Sequence, residues 1–331
     1  MNIIIYGAGA IGSHLAYCLN DNKNQIAIIT KQRYLKKFKK SGINIKIFSN
    51  KKFKKNVVIK ENKRIKFFSN TKKLEKNFLS NIGAIFITLK LKDFESVTEK
   101  RIFSLANINT SIIAPCTYLS RWWFYSLFEN QNLIHKHFKK PDFYYKYKKN
   151  IVGMTMWLSA KVVKPGFVEV KHIQRGYPIK EFYKKQKKNT DYLRKIIKKK
   201  CKSPKVSNIF SELYIKAINS FAFNLVALKT EFNNEQLLQD KKSIRSIKDI
   251  FYEFDTMIKG LNLPILQSRM SRITQTLSST KHTLSMLYDY QNKKKVELPY
   301  LWITLELLSK VCKKDIKKTK KIYNEVLKKL N

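Results

Sequence analysis

Three glycines near the start of the chain carry a clear chemical signal. Gly7, Gly9 and Gly12 directly follow the apolar residues 2–6 and precede a run that can form a helix. In this spacing the first glycine permits a tight turn, the second lets the backbone approach a pyrophosphate, and the third lets the helix pack on its strand. The positive end of the helix dipole would then attract the phosphates.

This pattern predicts a strand, a turn and a helix that bind a dinucleotide. The expected cofactor-binding residues are Gly7, Ala8, Gly9, Ala10, Ile11 and Gly12. The alternative is a glycine turn that binds nothing. The apolar strand before the turn and the helical run after it favour binding.

The cofactor type is indicated by the end of the second predicted strand, residues 25–30. A carboxylate at this position would favour NAD, but the sequence has Thr30-Lys31-Gln32-Arg33. The missing acid and the cation Lys31 favour the 2'-phosphate of NADP(H). Lysine is common throughout this chain, so the missing acid is the stronger signal. Lys90 follows another predicted strand, residues 82–88, at the edge of the sheet where ligands bind.

A second group of polar residues lies in the C-terminal part. Lys216, Ser220 and Asn224 recur every four residues, so they share one face of an otherwise apolar helix. A lysine is costly to bury unless it has a use. Near a bound carbonyl and the carboxylate of Glu297, it would act as a proton donor in hydride transfer. The alternative is a lysine that extends along the surface to water.

Alternating strands and helices must position these residues. Up to about residue 116 the pattern predicts a parallel sheet with right-handed crossovers. An antiparallel pair at 151–160 and 166–170, a helix at 184–200 and a last strand at 204–210 follow, and residues from 212 onward are helical in pattern. The predicted fold class is α/β, with a Rossmann-type dinucleotide-binding domain at 1–208 and an all-helical domain at 209–331.

Composition limits the possible partners. The net charge of +45 would suit nucleic acid or an anionic membrane, but only nine of the 68 basic residues are Arg and the Lys are spread over every segment. We therefore expect neither partner. No apolar run is long enough to span a bilayer, and Met1 leads directly into a strand, which predicts a cytoplasmic protein.

Cysteine, histidine and aromatic residues give weaker signals. Cys18, Cys116, Cys201 and Cys312 are far apart and the five His show no helical ligand spacing, so we expect neither a metal site nor disulfides. Residues 122–125 form the cluster Trp-Trp-Phe-Tyr. Such a cluster could stack on a nucleobase, but packing in the protein is favoured.

Taken together, these motifs resemble the ketopantoate reductase (2-dehydropantoate 2-reductase) family over nearly the full length. The resemblance rests on the glycine turn, the strand end before Lys90, the hairpin of residues 152–168, the helix of residues 216–224, and residues 285–289 followed by Glu297. It implies an NADPH-binding Rossmann domain, a helical C-terminal domain, and a protein that binds a small keto acid as a monomer or homodimer.

The resemblance also implies roles for particular residues. Lys216 would donate a proton to the keto oxygen, and Glu297 would lie near the nicotinamide and the substrate. Asn224, Ser220 and Ser285 would bind the substrate. Lys31 would contact the 2'-phosphate, and Lys90 would contact the cofactor.

Two departures from the family pattern leave an alternative open. Ser220 stands where the family has Asn, and Thr117, Tyr118 and Leu119 stand where a Gln-Asn-Gly motif is expected. We therefore expect NADPH-dependent reduction of a small 2-keto acid, with 2-dehydropantoate and pantothenate synthesis first. The alternative is a non-catalytic or repurposed relative that keeps dinucleotide binding.

Overall fold

The computed structural model describes residues 1–49, 52–94, 96–114, 121–128, 142–278 and 283–330. The chain forms two compact units. The first extends to Ile209, except that residues 121–124 group with the second, which begins at Phe210. The first unit contains the sheets and the second is helical, so the predicted fold class is confirmed.

The first unit contains eleven strands among the described residues. They are β1 (Asn2–Tyr6), β2 (Gln25–Ile29), β3 (Ile43–Ser49), β4 (Lys52–Ile59), β5 (Ile65–Phe68), β6 (Ile82–Ile87), β7 (Ser111–Ile113), β8 (Ile151–Met154), β9 (Trp157–Lys164), β10 (Phe167–Gly176) and β11 (Ile179–Glu181). Seven of them form one sheet in the order β11-β8-β7-β6-β1-β2-β5, parallel except for β11. β1, an inner strand of this sheet, has the buried apolar run Ile3-Ile4-Ile5-Tyr6, as expected for a strand covered on both faces.

The other four strands form a separate sheet in the order β4-β3-β10-β9. This corrects the prediction of one strand at residues 151–160. β8 belongs to the large sheet and β9 pairs with β10 in the small one. The break falls near Thr155, whose N–H bonds to Pro178 O (3.0 Å). Residues on both sides of the break are apolar and buried, so the hydrophobic pattern does not reveal it.

The predicted last strand at residues 204–210 is also wrong. Residues 204–208 are irregular and a helix begins at Ile209. The edge of the large sheet is instead formed by β11, which runs antiparallel to β8. Residue patterning alone did not distinguish this three-residue strand from the surrounding loop.

The helices flank the sheets in the first unit and make up the second unit. They are α1 (Ala10–Leu19), α2 (Gln32–Ser41), α3 (Lys76–Ser80), α4 (Ser96–Ser104), α5 (Arg121–Leu127), α6 (Asp142–Tyr147), α7 (Lys187–Lys198), α8 (Ile209–Thr230), α9 (Asn234–Gln239), α10 (Lys241–Gly260), α11 (Arg269–Leu277), α12 (Ser285–Gln291), α13 (Leu298–Val311) and α14 (Lys317–Leu330). Over the described part of the chain, every helix is too short or too polar to cross a bilayer.

The aromatic cluster of residues 122–125 lies on α5, and all four side chains are buried. Trp123 donates its indole N–H to Phe210 O (3.0 Å) and stacks on Tyr214. The cluster is therefore part of the protein interior, which confirms the favoured interpretation.

A buried ion pair joins α10 and α11 in the helical unit. Arg272 is fully buried, and its Nη2 contacts both carboxylate oxygens of Asp255 at 2.6 and 2.5 Å. The guanidinium also lies over the ring of Phe251, 4.1 Å from its centroid. The pKa of Asp255 is raised above its ordinary value, because the effect of burial outweighs the opposite effect of Arg272. Removing Asp255 would leave the buried Arg272 charge without this carboxylate.

We expect Asp255→Asn to lower the free energy of unfolding by about 3–5 kcal/mol, because it leaves the Arg272 charge unpaired. Urea unfolding followed by tryptophan fluorescence measures this loss. Asp315→Asn is the matched control, because Asp315 pairs with Lys317 in water, and its effect should stay below about 0.5 kcal/mol. Equal effects of the two substitutions would contradict the structural role of the buried pair.

Candidate active site

The predicted cofactor-binding residues share one edge of the large sheet. Tyr6, the last residue of β1, lies opposite Ile29 of β2 and Ile87 of β6. Three strands thus end side by side, and the glycine turn follows the central one. Lys31 and Lys90 follow the two neighbouring strands and are exposed. Ligands of open α/β sheets bind at this carboxyl edge.

The glycine turn is held by hydrogen bonds to both neighbouring strands. Gly7 has a φ of 109°, which side chains disfavour, and its N–H bonds to Ile29 O (3.0 Å). On the other side Thr88 Oγ1 donates to Tyr6 O (2.8 Å) and Gly7 O (2.9 Å). The sequence interpretation missed this role of Thr88, for which the only sequence signal is a hydroxyl residue at the end of a strand.

The remaining two glycines of the turn have opposite surroundings. A Cβ atom on Gly12 would lie 1.8 Å from Gly7 O, whereas a Cβ on Gly9 would meet nothing within 4 Å. Gly12 therefore allows α1 to pack on the turn, and Gly9 borders open space. The residue at the start of α1, Gly9, has no side chain that could cap the helix, and the first turn contains no acid. These features fit the pyrophosphate of a dinucleotide.

We expect Gly12→Ala and Gly9→Ala to separate folding from binding. The first substitution forces the turn and α1 apart and should cost at least about 1–3 kcal/mol of stability. The second should change stability by less than about 0.5 kcal/mol but weaken NADPH binding by at least about tenfold, because the methyl group fills the pyrophosphate space. Thermal unfolding and fluorescence titration with NADPH measure the two effects. Unchanged NADPH affinity in Gly9→Ala would contradict the site.

The predicted catalytic lysine lies on α8, the longest helix of the second unit. From Ser211 to Leu228 every residue of this helix is buried except Lys216 and Ser220, which are partly exposed. These two residues are one helical turn apart and therefore share a face. The two partly exposed residues of this otherwise buried stretch thus present an ammonium group and a hydroxyl group.

Asn224 lies one turn further along the same face and is buried. Its Nδ2 donates to Ser220 O (2.7 Å), and its Oδ1 accepts from Met286 N (2.9 Å). Met286 belongs to the first turn of α12, and the residue before that helix, Leu284, provides no side-chain cap. Asn224 therefore caps α12 from a distance and holds its first residue, Ser285, near α8. The Asn224 side-chain amide has two N–H groups, and the bond to Ser220 O uses one of them.

Glu297 is also in the second unit, immediately before α13. Its side chain is buried, and its carbonyl oxygen accepts from Tyr300 N (3.1 Å) and Leu301 N (3.3 Å). Of the residues that depart from the family pattern, Ser220 lies on α8. Thr117, Tyr118 and Leu119 lie outside the described residues.

Comparison with known proteins supports the resemblance found in the sequence. Residues 3–114 match the sequence model of the family described as "Ketopantoate reductase PanE/ApbA". This match confirms the predicted resemblance for that stretch, which includes the glycine turn, Lys31 and Lys90. No curated protein matches the chain by sequence.

Solved structures extend the likeness to the whole chain. 2-Dehydropantoate 2-reductase from Geobacter metallireducens has a TM-score of 0.76 at 14% identity, covering 99% of each chain. The same enzyme from Methylococcus capsulatus has a TM-score of 0.73 at 14% identity, covering 100% of this chain and 96% of that one. D-Mandelate dehydrogenase with NADH and anilino(oxo)acetate has a TM-score of 0.76 at 17% identity, covering 100% and 98%. At these identities the likeness shows the fold.

Proposed function

We propose that this protein reduces a small 2-keto acid with NADPH, and that the substrate is 2-dehydropantoate. The observation that carries the proposal is the partly exposed pair Lys216 and Ser220 within the otherwise buried stretch of α8. An ammonium group at such a position suits a carbonyl substrate, because it offers a positive charge and a proton to the same oxygen.

The first unit supports the cofactor part of the proposal. The open space at Gly9 and the uncapped, acid-free start of α1 suit a pyrophosphate. The absence of an acid after β2, where Lys31 is exposed, suits the 2'-phosphate of NADPH. The similar D-mandelate dehydrogenase structure contains NADH, so the choice between the two cofactors needs a direct test.

The comparisons support the substrate class more strongly than the substrate itself. The family model and two similar structures carry the name of a ketopantoate reductase. The D-mandelate dehydrogenase structure contains anilino(oxo)acetate, whose name describes an oxo group beside a carboxylate. A carbonyl group next to a carboxylate is common to both compounds, and 2-dehydropantoate is the 2-keto acid that the family name indicates. Its reduction would supply pantoate for pantothenate synthesis.

In the proposed mechanism, reduced nicotinamide supplies a hydride to the keto carbon. Lys216 hydrogen-bonds to the keto oxygen and transfers a proton to it as the alkoxide forms. The lysine regains a proton from water, to which it is partly exposed. Asn224, Ser220 and Ser285 bind the substrate, and the Asn224 side chain also bonds to Ser220 O and Met286 N. Glu297 provides a carboxylate near the nicotinamide and the substrate.

The direct test mixes the purified protein with NADPH and 2-dehydropantoate and follows the loss of NADPH absorbance. We expect turnover that depends on both compounds. Oxidation of NADPH in the presence of phenylglyoxylate, the keto acid that corresponds to mandelate, but not of 2-dehydropantoate would support reduction of a 2-keto acid and rule out 2-dehydropantoate as the substrate. Tight NADPH binding without turnover of any 2-keto acid would instead indicate a dinucleotide-binding protein without this activity.

We expect Lys216→Ala to lower kcat by about 100- to 10,000-fold, because general acid catalysis contributes that much. NADPH affinity should stay nearly unchanged, since the phosphates bind at the glycine turn of the other unit. Stopped-flow kinetics and cofactor titration measure the two quantities. The matched control is Lys229→Ala on the same helix, whose exposed ammonium pairs with Glu325 at 2.7 Å. Near-normal kcat in Lys216→Ala would contradict the catalytic assignment.

We expect NADPH to bind more tightly than NADH, and Lys31→Ala to weaken NADPH more than NADH. The difference should shrink at high salt, because contacts between exposed charges are screened. Lys63→Ala is the control: Lys63 is exposed just before β5, at the opposite edge of the sheet. Titrations at low and high ionic strength provide the measurement. Equal affinity of the wild-type protein for both cofactors would contradict the NADPH assignment.

A further inference from the structure

Three potential metal ligands form a buried cluster in the first unit. His14 and Cys18 lie one turn apart on α1, and Cys201 follows the end of α7. The side chains are 0%, 0% and 6% exposed. One ligand atom from each residue lies within 4.8 Å of the other two. The sequence interpretation missed this cluster because it considered His–His and Cys–Cys spacings and not a mixed pair four residues apart.

The distances suit a small metal ion. Metal–sulfur bonds of about 2.3 Å and metal–nitrogen bonds of about 2.0 Å place donors roughly 3.5–4.0 Å apart. His14 Nε2 and Cys18 Sγ are 3.9 Å apart. The largest separation in the cluster is at most 4.8 Å, so a shift of about 1 Å or less would complete the geometry.

A second layer of hydrogen bonds orients the histidine. His14 Nδ1 is 2.8 Å from the hydroxyl of Tyr177, which leaves Nε2 facing the cysteine. Tyr177 is itself fixed to the loop that carries Cys201. Its N–H bonds to Lys202 O (2.9 Å), and its carbonyl oxygen accepts from Ser203 Oγ (2.6 Å). Such outer partners usually fix the tautomer and direction of a metal-binding imidazole.

Two ammonium groups, of Lys200 and Lys55, lie close enough to the cluster to act electrostatically on Cys18. Both lie against Tyr17, whose ring is 6.0 Å from that of His14. Lys200 Nζ donates to Tyr17 O (3.0 Å), and Lys55 Nζ is 4.9 Å from the centre of the Tyr17 ring. The bound ion itself would neutralise the thiolate charge, both thiolates for Zn(II) and one of the two for Cu(I).

The donor set selects the kind of ion. Two sulfur atoms and one imidazole nitrogen favour Cu(I) or Zn(II) over hard cations such as Mg²⁺ or Ca²⁺. Within the described residues, this group contains no fourth His, Cys, Asp or Glu. Zn(II) prefers four ligands and would need a water molecule in addition.

We propose that His14 Nε2, Cys18 Sγ and Cys201 Sγ bind one thiophilic d10 cation, Cu(I) or Zn(II). Binding releases the two thiol protons to solvent. The ion joins α1 to the segment after α7 and, through Tyr177, to the segment between β10 and β11. Its role is structural, since all three ligands are buried and the ion links α1, which carries His14 and Cys18, to the segment of Cys201 after α7.

The test uses the reduced, metal-free, full-length protein without oxygen. Cu(I) and Zn(II) are titrated separately against a chromogenic chelator, and X-ray absorption then identifies the ligands. We expect one equivalent of one of these ions to bind, with two sulfur ligands and one imidazole. The ion for which the protein competes with the chelator is the ion that the site binds. No competition by the protein for either ion would overturn the proposal.

Variants locate the site. Tyr177→Phe keeps all three ligands and should weaken binding by about 10- to 100-fold, as loss of a second-layer partner does. Cys201→Ser should weaken binding further, whereas Cys312→Ser, a cysteine of the other unit, should leave it unchanged. Circular dichroism of the metal-free variants checks that they fold. Loss of binding in Cys312→Ser but not in Cys201→Ser or Tyr177→Phe would overturn the assignment.

Discussion

The close approach of α1 to the glycine turn is the contact on which the first unit depends. It requires a residue without a side chain at Gly12, because a Cβ there would lie 1.8 Å from Gly7 O. The turn is fixed on both sides by Ile29 and Thr88, so β1 joins its neighbours and α1 in one rigid arrangement. The position of α1 beside the carboxyl edge of the sheet follows from this packing.

The second unit contains a helix, α8, that is buried over most of its length. α8 is enclosed from Ser211 to Leu228, and the polar face that remains partly open contains Lys216 and Ser220. Asn224, behind them, uses its amide to hold α12. Lys216 and Ser220 are the partly exposed residues between Ser211 and Leu228, and it is there that we propose the substrate binds. The proposed reaction needs the ammonium group of Lys216 together with the dinucleotide site.

Much of this organisation could be predicted from the sequence because it is local. The glycine spacing specifies a strand, turn and helix by steric rules, and the four-residue spacing of Lys216 and Ser220 specifies a shared helix face. Distant contacts could not be predicted in this way. The bond between Thr88 and Gly7 and the meeting of His14 with Cys201 depend on the folded chain. The strand break near Thr155 was hidden because apolar residues lie on both sides.

The central claim is that hydride passes from NADPH to the 2-carbon of a keto acid on this protein. The most direct measurement uses two forms of NADPH, each with deuterium at one of the two hydrogen positions on C4 of the nicotinamide. Both C4-labelled forms are tested with 2-dehydropantoate, and the product is analysed by mass spectrometry. We expect one of the two forms to give pantoate with one deuterium at its 2-carbon. Bound cofactor with unlabelled or unchanged substrate in both cases would contradict it.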